Sequence, residues 1–440
     1  MSLVRNPVPT VSLRWAVVLL LAFLEGCTAM GSGRRTPEPD AGALLYIRWG
    51  GAGTDLWLQS LESGRHRPLT SSGRVPHVPG GSGLDPWRGA VISPDGKQVA
   101  YVELQHPEAP AGRRVGGWNA LFVVNADGTG RRKLVDLTQL LLPEGQRLRA
   151  GSFIWSDDGN SLAYVLASLP KQGASLKDCS QVTLHSVDVV SGRGATLSEA
   201  RPLGSVALLG WYPARAEAVL YGECGYPEEP SPAIPIPNGS VTVLRVSDGT
   251  ASQRLALKPS LSPAGSSVFI PSHPRALAGP PTLYRTDALG GPPTVTLTLP
   301  RGHLGRIHWM HRAPAALLSS TEWELPFLDC VGTQPQPRVL FRLDLGTGTL
   351  QRVREDARRL NVLAISPDDT HALVGIITGE DDRFHPPCVS RPVERLFLVR
   401  LDEIASELPI QELRRRARPL TPPRLWSDVA AFNEYVGWVR

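Results

Sequence analysis

Few cysteines, little net charge and no membrane-length apolar run set the first bounds on this chain. Five cysteines occur in 440 residues, none in a Cys-x-x-Cys pair, which excludes the usual structural zinc patterns. The 46 basic and 41 acidic groups leave a formal charge of +5, spread too thinly for nucleic acid to be the default partner. The apolar run at residues 15–24 (WAVVLLLAFL) is half the ~20 residues that a spanning helix requires. Gly-x-Ser-x-Gly, His-Glu-x-x-His and a phosphate-cradling glycine loop are all missing, so the sequence signals no common hydrolase, zinc protease or nucleotide enzyme. No catalytic residue, metal ligand or cofactor is therefore expected.

Turn formers are abundant instead. The 41 prolines and 43 glycines each approach a tenth of the chain, against usual shares of about 5% and 7%. That excess argues for many turns and few long helices, while an apolar content of 42% suffices for a large core.

Arg5 and Arg14 precede the apolar run, which ends at Leu24-Glu25-Gly26-Cys27. A basic flank with a short apolar stretch reads as an export signal. The segment resembles the bacterial lipoprotein signal, in which a lipid-modified cysteine follows an aliphatic residue and two small ones; Leu24, Gly26 and Cys27 fit, and Glu25 departs from the pattern. The resemblance implies acylation of Cys27 and a mature chain of 440 − 26 = 414 residues. With no aspartate after the cysteine, it also implies the outer membrane of a Gram-negative cell. The domain expectation is a signal over 1–26, a flexible tether over 27–40 and one folded domain over 41–440. An ordinary secretory signal, giving a soluble periplasmic or secreted protein, is the alternative.

A single pattern recurs throughout the folded region. ISPDGKQVAYVE from Ile92 is followed by WSDDGNSLAYVL from Trp155, WYPARAEAVLYGE from Trp211, LSPAGSSVFIPS from Leu261, WMHRAPAALLSS from Trp309 and ISPDDTHALVGI from Ile365. Each has an apolar residue, a short polar turn and an alternating strand. A second half, strand–turn–strand, starts at Asp55, Ala120, Thr183, Thr242, Thr282, Val339 and Arg395, as in ALFVVNADGTGRRKLV from Ala120. Asp-Gly between apolar runs supplies the positive backbone angles of a tight hairpin. The unit is thus a four-stranded antiparallel sheet, too small to bury its own faces.

Second halves outnumber first halves by one, and the surplus is the earliest, preceded by the lone strand 43–48 (ALLYIR). Residues 434–440 (EYVGWVR) look like an innermost strand without followers, with Trp438 in register with Trp155, Trp211 and Trp309. A ring in which the C-terminal strand completes the first sheet resolves both oddities and removes the open edges of a linear array. A period near 50 residues with four strands per unit fits a β-propeller and not a helical solenoid. The expectation is an all-β chain forming a single propeller of seven four-stranded blades, with six blades as the alternative.

SPDGKQVAYV joined to LFVVNADGTGRRKL resembles the TolB-like propeller repeat, also described as WD40-like. The resemblance covers residues 88–137 most closely, and 150–200 and 361–402 less so. It implies a propeller of the bacterial envelope whose relatives commonly serve as binding scaffolds. It transfers no catalytic residue, because the repeat is structural: Asp95 is expected to bond its own backbone as a turn former.

In such a blade the turns after the first and third strands lie on one face, and these are tight here. Long connections collect on the other face, at 105–118, 167–181, 222–240, 321–338 and 378–394, and loops on a rigid scaffold are the usual carriers of binding. Cys179, Cys224, Cys330 and Cys388 fall in four of them. Four cysteines allow three pairings; blade adjacency selects Cys179–Cys224 and Cys330–Cys388, which an oxidising periplasm permits. The loops also gather carboxylates, namely Glu223, Glu228, Glu229, Asp329, Glu380, Asp381 and Asp382, followed by His385, and two aromatic rings, Trp118 and Trp323. The charges read as solubilising, or as a cation site or a docking patch for a basic partner; Trp118 and Trp323, if they stand exposed on that face, would favour a sugar- or peptidoglycan-binding role. His303, His308 and His311 surround a strand whose alternation sends them to different sides. Arg414-Arg415-Arg416 reads as a solvated helical turn.

The functional expectation is a monomeric, lipid-anchored propeller that binds an envelope protein or cell-wall component through its long-loop face. A periplasmic lyase or cyclase with its site in the central funnel is the alternative.

Overall fold

The best-kept repeat shows how sequence becomes sheet. Residues Ala90–Ile92 and Gln98–Glu103 are strands joined by a turn in which Gly96, at φ 75°, donates its N–H to Ser93 O (2.9 Å). The next two strands, Ala120–Asn125 and Arg132–Asp136, are joined through the Asp127-Gly128 turn. Along Gln98–Glu103 both alternating faces are buried. Val99 and Tyr101 pack with Leu45, Ile47, Leu56 and Leu58 on one side, while Ala100 and Val102 pack with Phe153, Trp155, Leu162 and Tyr164 on the other. A sheet apolar on both faces must be sandwiched between two others. Each fully buried Val or Leu contributes roughly 1.5–3 kcal/mol, so a sheet and its neighbours stand together.

The computed structural model describes residues 42–50, 53–76, 89–104, 116–138, 147–169, 181–202, 205–223, 240–255, 260–261, 268–271, 282–286, 295–298, 303–321, 338–354, 360–377, 394–406, 408–420 and 433–440. Ala41–Arg440 packs as a single unit. Its described strands form seven antiparallel sheets, named here from the innermost strand outward. Sheet one is Asn433–Val439, Ala43–Gly50, Gly53–Ser60 and His66–Pro68. Sheet two is the repeat above. Sheet three runs Arg147–Trp155, Ser161–Leu169, Gln181–Asp188 and Gly194–Pro202, with an extra inner strand, Gly116–Gly117. Sheet four is Ser205–Tyr212, Glu217–Glu223, Ser240–Arg245 and Ala251–Leu255. Sheet five is the shortest, with Ser260–Leu261, Val268–Pro271, Thr282–Thr286 and Val295–Thr298. Sheet six is His303–Trp309, Ala315–Thr321, Arg338–Asp344 and Leu350–Arg354; sheet seven is Leu360–Ile365, His371–Ile377, Glu394–Arg400 and Arg418–Pro419.

The innermost strands pack side by side from sheet one through sheet five, and again from sheet six to seven and back to one. This is the arrangement of a β-propeller. Asn433–Val439 lies antiparallel to Ala43–Gly50, with Trp438 opposite Leu44 and Val439 opposite Ala43. The junction is filled by Leu44 and Leu61 of sheet one against Leu373, Leu396 and Leu420 of sheet seven. The two ends of the folded unit therefore share one sheet.

Where the Pro-Asp-Gly turn has decayed, other chemistry bends the chain. Between the first two strands of sheet four a single 3-10 turn, Pro213–Arg215, is followed by Ala216 at φ 49°. In sheet seven, Leu401–Ile404 (α1) and Ile410–Arg416 (α2) interrupt the third and fourth strands. The basic run Arg414–Arg416 is helical as expected. Leu413 is its buried anchor, and Glu412 pairs with Arg415 (2.9 Å) and Arg416 (2.8 Å). Among the described residues no helix is long and apolar enough to cross a membrane.

Candidate functional site

The face of tight turns uses its polar groups on itself. Ser93 Oγ donates to Asp95 Oδ1 (2.6 Å), Lys97 N–H donates to the same oxygen (3.0 Å), and Gln98 N–H donates back to Ser93 Oγ (2.9 Å). The same three bonds recur with Ser156, Asp158, Asn160 and Ser161, and with Ser366, Asp368, Thr370 and His371. Partial burial would raise the Asp95 carboxyl, but the Ser93 and Lys97 bonds outweigh it and hold it below the usual carboxylate value. At Asp368 the same opposition, burial against bonds from Ser366 and Thr370, ends at about 2. Asp95 is thus a turn former. Its serine partner sits two residues earlier in these three copies, at Ser93, Ser156 and Ser366.

The same face is stitched around its rim by arginines on outermost strands. Arg67 of sheet one donates to the carbonyls of Ala126 (2.6 Å) and Asp127 (3.1 Å) in the turn of sheet two. Arg132 of sheet two donates to Val190 O of sheet three (3.3 Å), and Arg201 of sheet three donates to Gly249 O beside sheet four. Arg354 of sheet six reaches the carbonyls of Ile404, Ser406 and Leu408 in the insertion of sheet seven. Arg418 of sheet seven reaches Glu62 O of sheet one (2.6 Å). At five junctions, then, a guanidinium binds main-chain oxygen in the next sheet. A charge-assisted bond of this kind fixes blade to blade, and it commits those groups to structure.

On the opposite face the second strand of a sheet ends and the third begins, as where Glu103 pairs with Ala120 in sheet two and Ser168 with Gln181 in sheet three. One piece of the connection between the second and third strands of sheet two is described there. Gly116–Gly117 forms a two-residue strand parallel to the innermost strand of sheet three, with Gly116 opposite Arg149 and Gly117 opposite Ala150. Trp118 follows, 1% exposed, and its indole N–H donates to Gly151 O (2.5 Å). Its ring meets Phe153 and Tyr164 edge-on, with centroids 6.2 and 5.7 Å away. Trp118 therefore does not stand exposed on that face, so the ring named as a candidate binding residue gives no support to sugar binding. The connection 105–118 ends in a buried anchor, because sheet three offers an apolar slot and a carbonyl acceptor that a single-strand reading does not reveal.

Between sheets one and two the structure adds a cluster with no sequence motif. Arg131 donates to Tyr101 Oη (2.6 Å) and Glu103 Oε1 (3.0 Å) and lies over the Phe122 ring at 4.3 Å. Burial raises the Tyr101 phenol, and the neighbouring Arg131 partly offsets this. Its period-two spacing on one strand, Tyr101 and Glu103, was the available signal. On sheet six, His308 is half-buried and His311 exposed, with the His311 backbone N–H given to Asp369 (2.6 Å). Among the described residues no group of three or more His, Cys, Asp or Glu could hold a metal ion.

Cys27, Cys179, Cys224, Cys330 and Cys388 lie outside the described residues, as do Glu228, Glu229, Trp323, Asp329, Glu380, Asp381, Asp382 and His385.

No family model matches the sequence, and no curated protein matches it. Solved structures similar to the chain include an oligogalacturonate lyase from Vibrio parahaemolyticus, at 14% identity and a TM-score of 0.47, covering 76% of this chain and 83% of that one. TolB from Acinetobacter baumannii is similar at 14% identity and a TM-score of 0.37, over 81% and 76% of the two chains. The β-propeller domain of the Trilobed protease from Pyrococcus furiosus is similar at 12% identity and a TM-score of 0.48, over 87% and 99%.

Proposed function

We propose that this protein is a seven-bladed propeller scaffold that binds a partner at its long-connection face. The observation that carries the reading is the asymmetry of the two faces. One is closed by repeated Ser–Asp turns and by arginines bonded to main-chain carbonyls; the other is where second strands end and third strands begin, the points between which the long stretches of sequence run. A six-bladed ring would differ at sheet five, whose innermost strand has only two residues. The signal-like N-terminus supports export and anchoring through Cys27, and the loop cysteines support the pairs Cys179–Cys224 and Cys330–Cys388, which non-reducing peptide mapping would read directly.

The test is affinity capture from envelope extracts with the mature protein as bait, beside a variant shortened in the connections 222–240 and 378–394. The scaffold reading expects one retained species that the variant releases. Retention of nothing, together with turnover of an added uronate oligomer or other small molecule, would replace it with an enzyme.

A further inference from the structure

On the tight-turn face, the turn between third and fourth strands carries an aspartate in four of the sheets. Asp127, Asp188, Asp248 and Asp344 of sheets two, three, four and six each accept a backbone N–H and a hydroxyl of their own turn. Sheets one and seven differ. The turn of sheet one supplies Arg65, with Arg67 just beyond it, and the insertion of sheet seven supplies Arg414, Arg415, Arg416 and Arg418, all exposed. Arg418 joins the two groups by donating to Glu62 O (2.6 Å). Three carboxylates lie among these six cations: Glu62 itself, Glu412 on Arg415 and Arg416, and Asp127 in the turn that Arg67 reaches. Asp402 and Glu403 stand at the other end of the insertion, on α1, where Asp402 pairs with Arg400 (2.7 Å). Among the described residues Arg65 and Arg414 pair with no carboxylate. The patch is held in place: Leu413 of α2 is buried against sheets six and seven, and Arg354 grips the carbonyls of Ile404, Ser406 and Leu408 ahead of it.

The chain enters the ring beside these arginines. Gly42 is buried at the head of Ala43–Gly50, and its carbonyl accepts the N–H of Leu61 (3.1 Å), one residue before Glu62. The fifteen residue steps back to Cys27 reach at most about 50 Å, so an anchor at Cys27 brings the ring to a bilayer without choosing which side meets it. We propose that the arginine patch at the junction of sheets seven and one docks on anionic phospholipid headgroups, turning the tight-turn face toward the bilayer and the long-connection face away from it. A guanidinium matches a phosphate with two parallel donors, and each cation held near an anionic surface strengthens partitioning roughly fivefold. The attraction fades within about 8 Å, so the seam meets the surface while the aspartate turns of sheets three, four and six tilt away. The orientation rests on the proposed anchoring through Cys27; the affinity of the patch for the lipid does not.

The experiment uses the full mature chain with Cys27→Ser, so that no acyl group contributes. It compares phosphatidylcholine vesicles with vesicles in which about one lipid in three is phosphatidylglycerol. The chain should sediment with the anionic vesicles and not with the neutral ones, and added salt should release it. Arg65→Ala with Arg414→Ala should weaken that partitioning about thirtyfold. Arg193→Ala with Arg245→Ala removes two exposed arginines of the same face, beside Asp188 and Asp248, and should leave it within about twofold. Anionic vesicles should slow hydrogen exchange at residues 62–65 and 413–418 and leave sheet three unchanged, and exchange at 413–417 without vesicles checks that α2 is intact in each variant.

Equal partitioning onto neutral vesicles, or an equal loss in the two pairs of variants, overturns the patch. Soluble polyphosphate that displaces the chain from the vesicles and binds with the same dependence on Arg65 and Arg414 would assign the patch to a free polyanion and overturn the bilayer. The mass of the Cys27 peptide from envelope-purified protein separates this inference from the anchoring. An unmodified Cys27 with vesicle binding as stated removes the anchor and leaves the patch. An acylated Cys27 with no preference for anionic vesicles leaves the anchor and removes the patch.

Discussion

Asp369 occupies the turn position that glycine holds in two better-kept copies. Its φ is 60°, beside 75° for Gly96 and 72° for Gly159. A side chain in that region costs roughly 1 kcal/mol, and here the carboxylate accepts three backbone N–H groups of the preceding sheet, from His311 (2.6 Å), Arg312 (2.7 Å) and Ala313 (2.8 Å). Asp369→Gly should relax the backbone but strand those donors, for a net loss of about 1–2 kcal/mol. Asp369→Ala keeps the strain as well and should lose about 1 kcal/mol more. Urea unfolding of the two variants orders them; Ala as the milder change would contradict this account.

The neighbouring aspartate governs the response to acid. Asp368 titrates at about 2 in the folded chain against an ordinary value of 3.8, and Asp95 and Asp158 are lowered in the same direction, burial being outweighed by bonds from Ser93 and Ser156. A lowered folded-state carboxyl stabilises the fold fully above its unfolded value and loses that stabilisation as pH falls through the folded value. Stability should therefore decline from about pH 4 towards pH 2. Ser366→Ala, which deletes a donor to Asp368, should flatten that stretch of the curve; an unchanged slope in a pH series of thermal melts would count against the turn aspartates as its source.

At this scale the sequence was half legible. Pro-Asp-Gly announced the turn, and ISPDG, WSDDG and ISPDD also carried the buried serine two places before the aspartate. What hid Trp118 was its company. It follows a polar, glycine-rich connection, and its slot is made by Phe153 and Tyr164 of the next sheet, residues that chain order alone does not bring near.

At the scale of elements, strands were readable from period two because both faces are apolar, and the junctions between sheets were not. Arg67, Arg132, Arg201 and Arg418 look like ordinary surface charge on outermost strands, and only the next sheet's turn gives each its carbonyl. Each bond should contribute on the order of 0.5–1.5 kcal/mol. Because they sit at different junctions, Arg67→Ala, Arg201→Ala and Arg418→Ala should combine near-additively, within about 0.5 kcal/mol. Lysine should rescue them poorly, since a single ammonium cannot span two carbonyls as Arg67 does at Ala126 and Asp127. Strongly coupled losses in triple-mutant denaturation would mean that the rim acts as one network.

At the scale of the molecule, closure depends on one strand from the far end of the chain. Inner-strand tryptophans stitch other junctions: Trp155 Nε1 donates to Val91 O (3.2 Å) and Trp211 Nε1 to Ser161 Oγ (3.0 Å). Trp438 Nε1, at the equivalent place in the closing strand, is buried with no hydrogen-bond partner among the described residues. Trp155→Phe and Trp211→Phe remove a made bond and leave an acceptor behind, whereas Trp438→Phe removes an unmet donor, so the third change should be the mildest despite its position at the seam. Closure then rests on the ladder to Ala43–Gly50, on Arg440 N–H bonded to Gly96 O (2.8 Å), and on Leu44 and Leu61 packed against sheet seven. Deleting residues 433–440 leaves the edge of Ala43–Gly50 unpaired and the apolar seam open, and an unpaired edge recruits another chain. The shortened protein should lose its single cooperative unfolding transition and associate in sedimentation, while a synthetic peptide of residues 433–440 added in trans should restore the monomer. A cooperative monomer without the strand would show that the ring holds through its junctions alone.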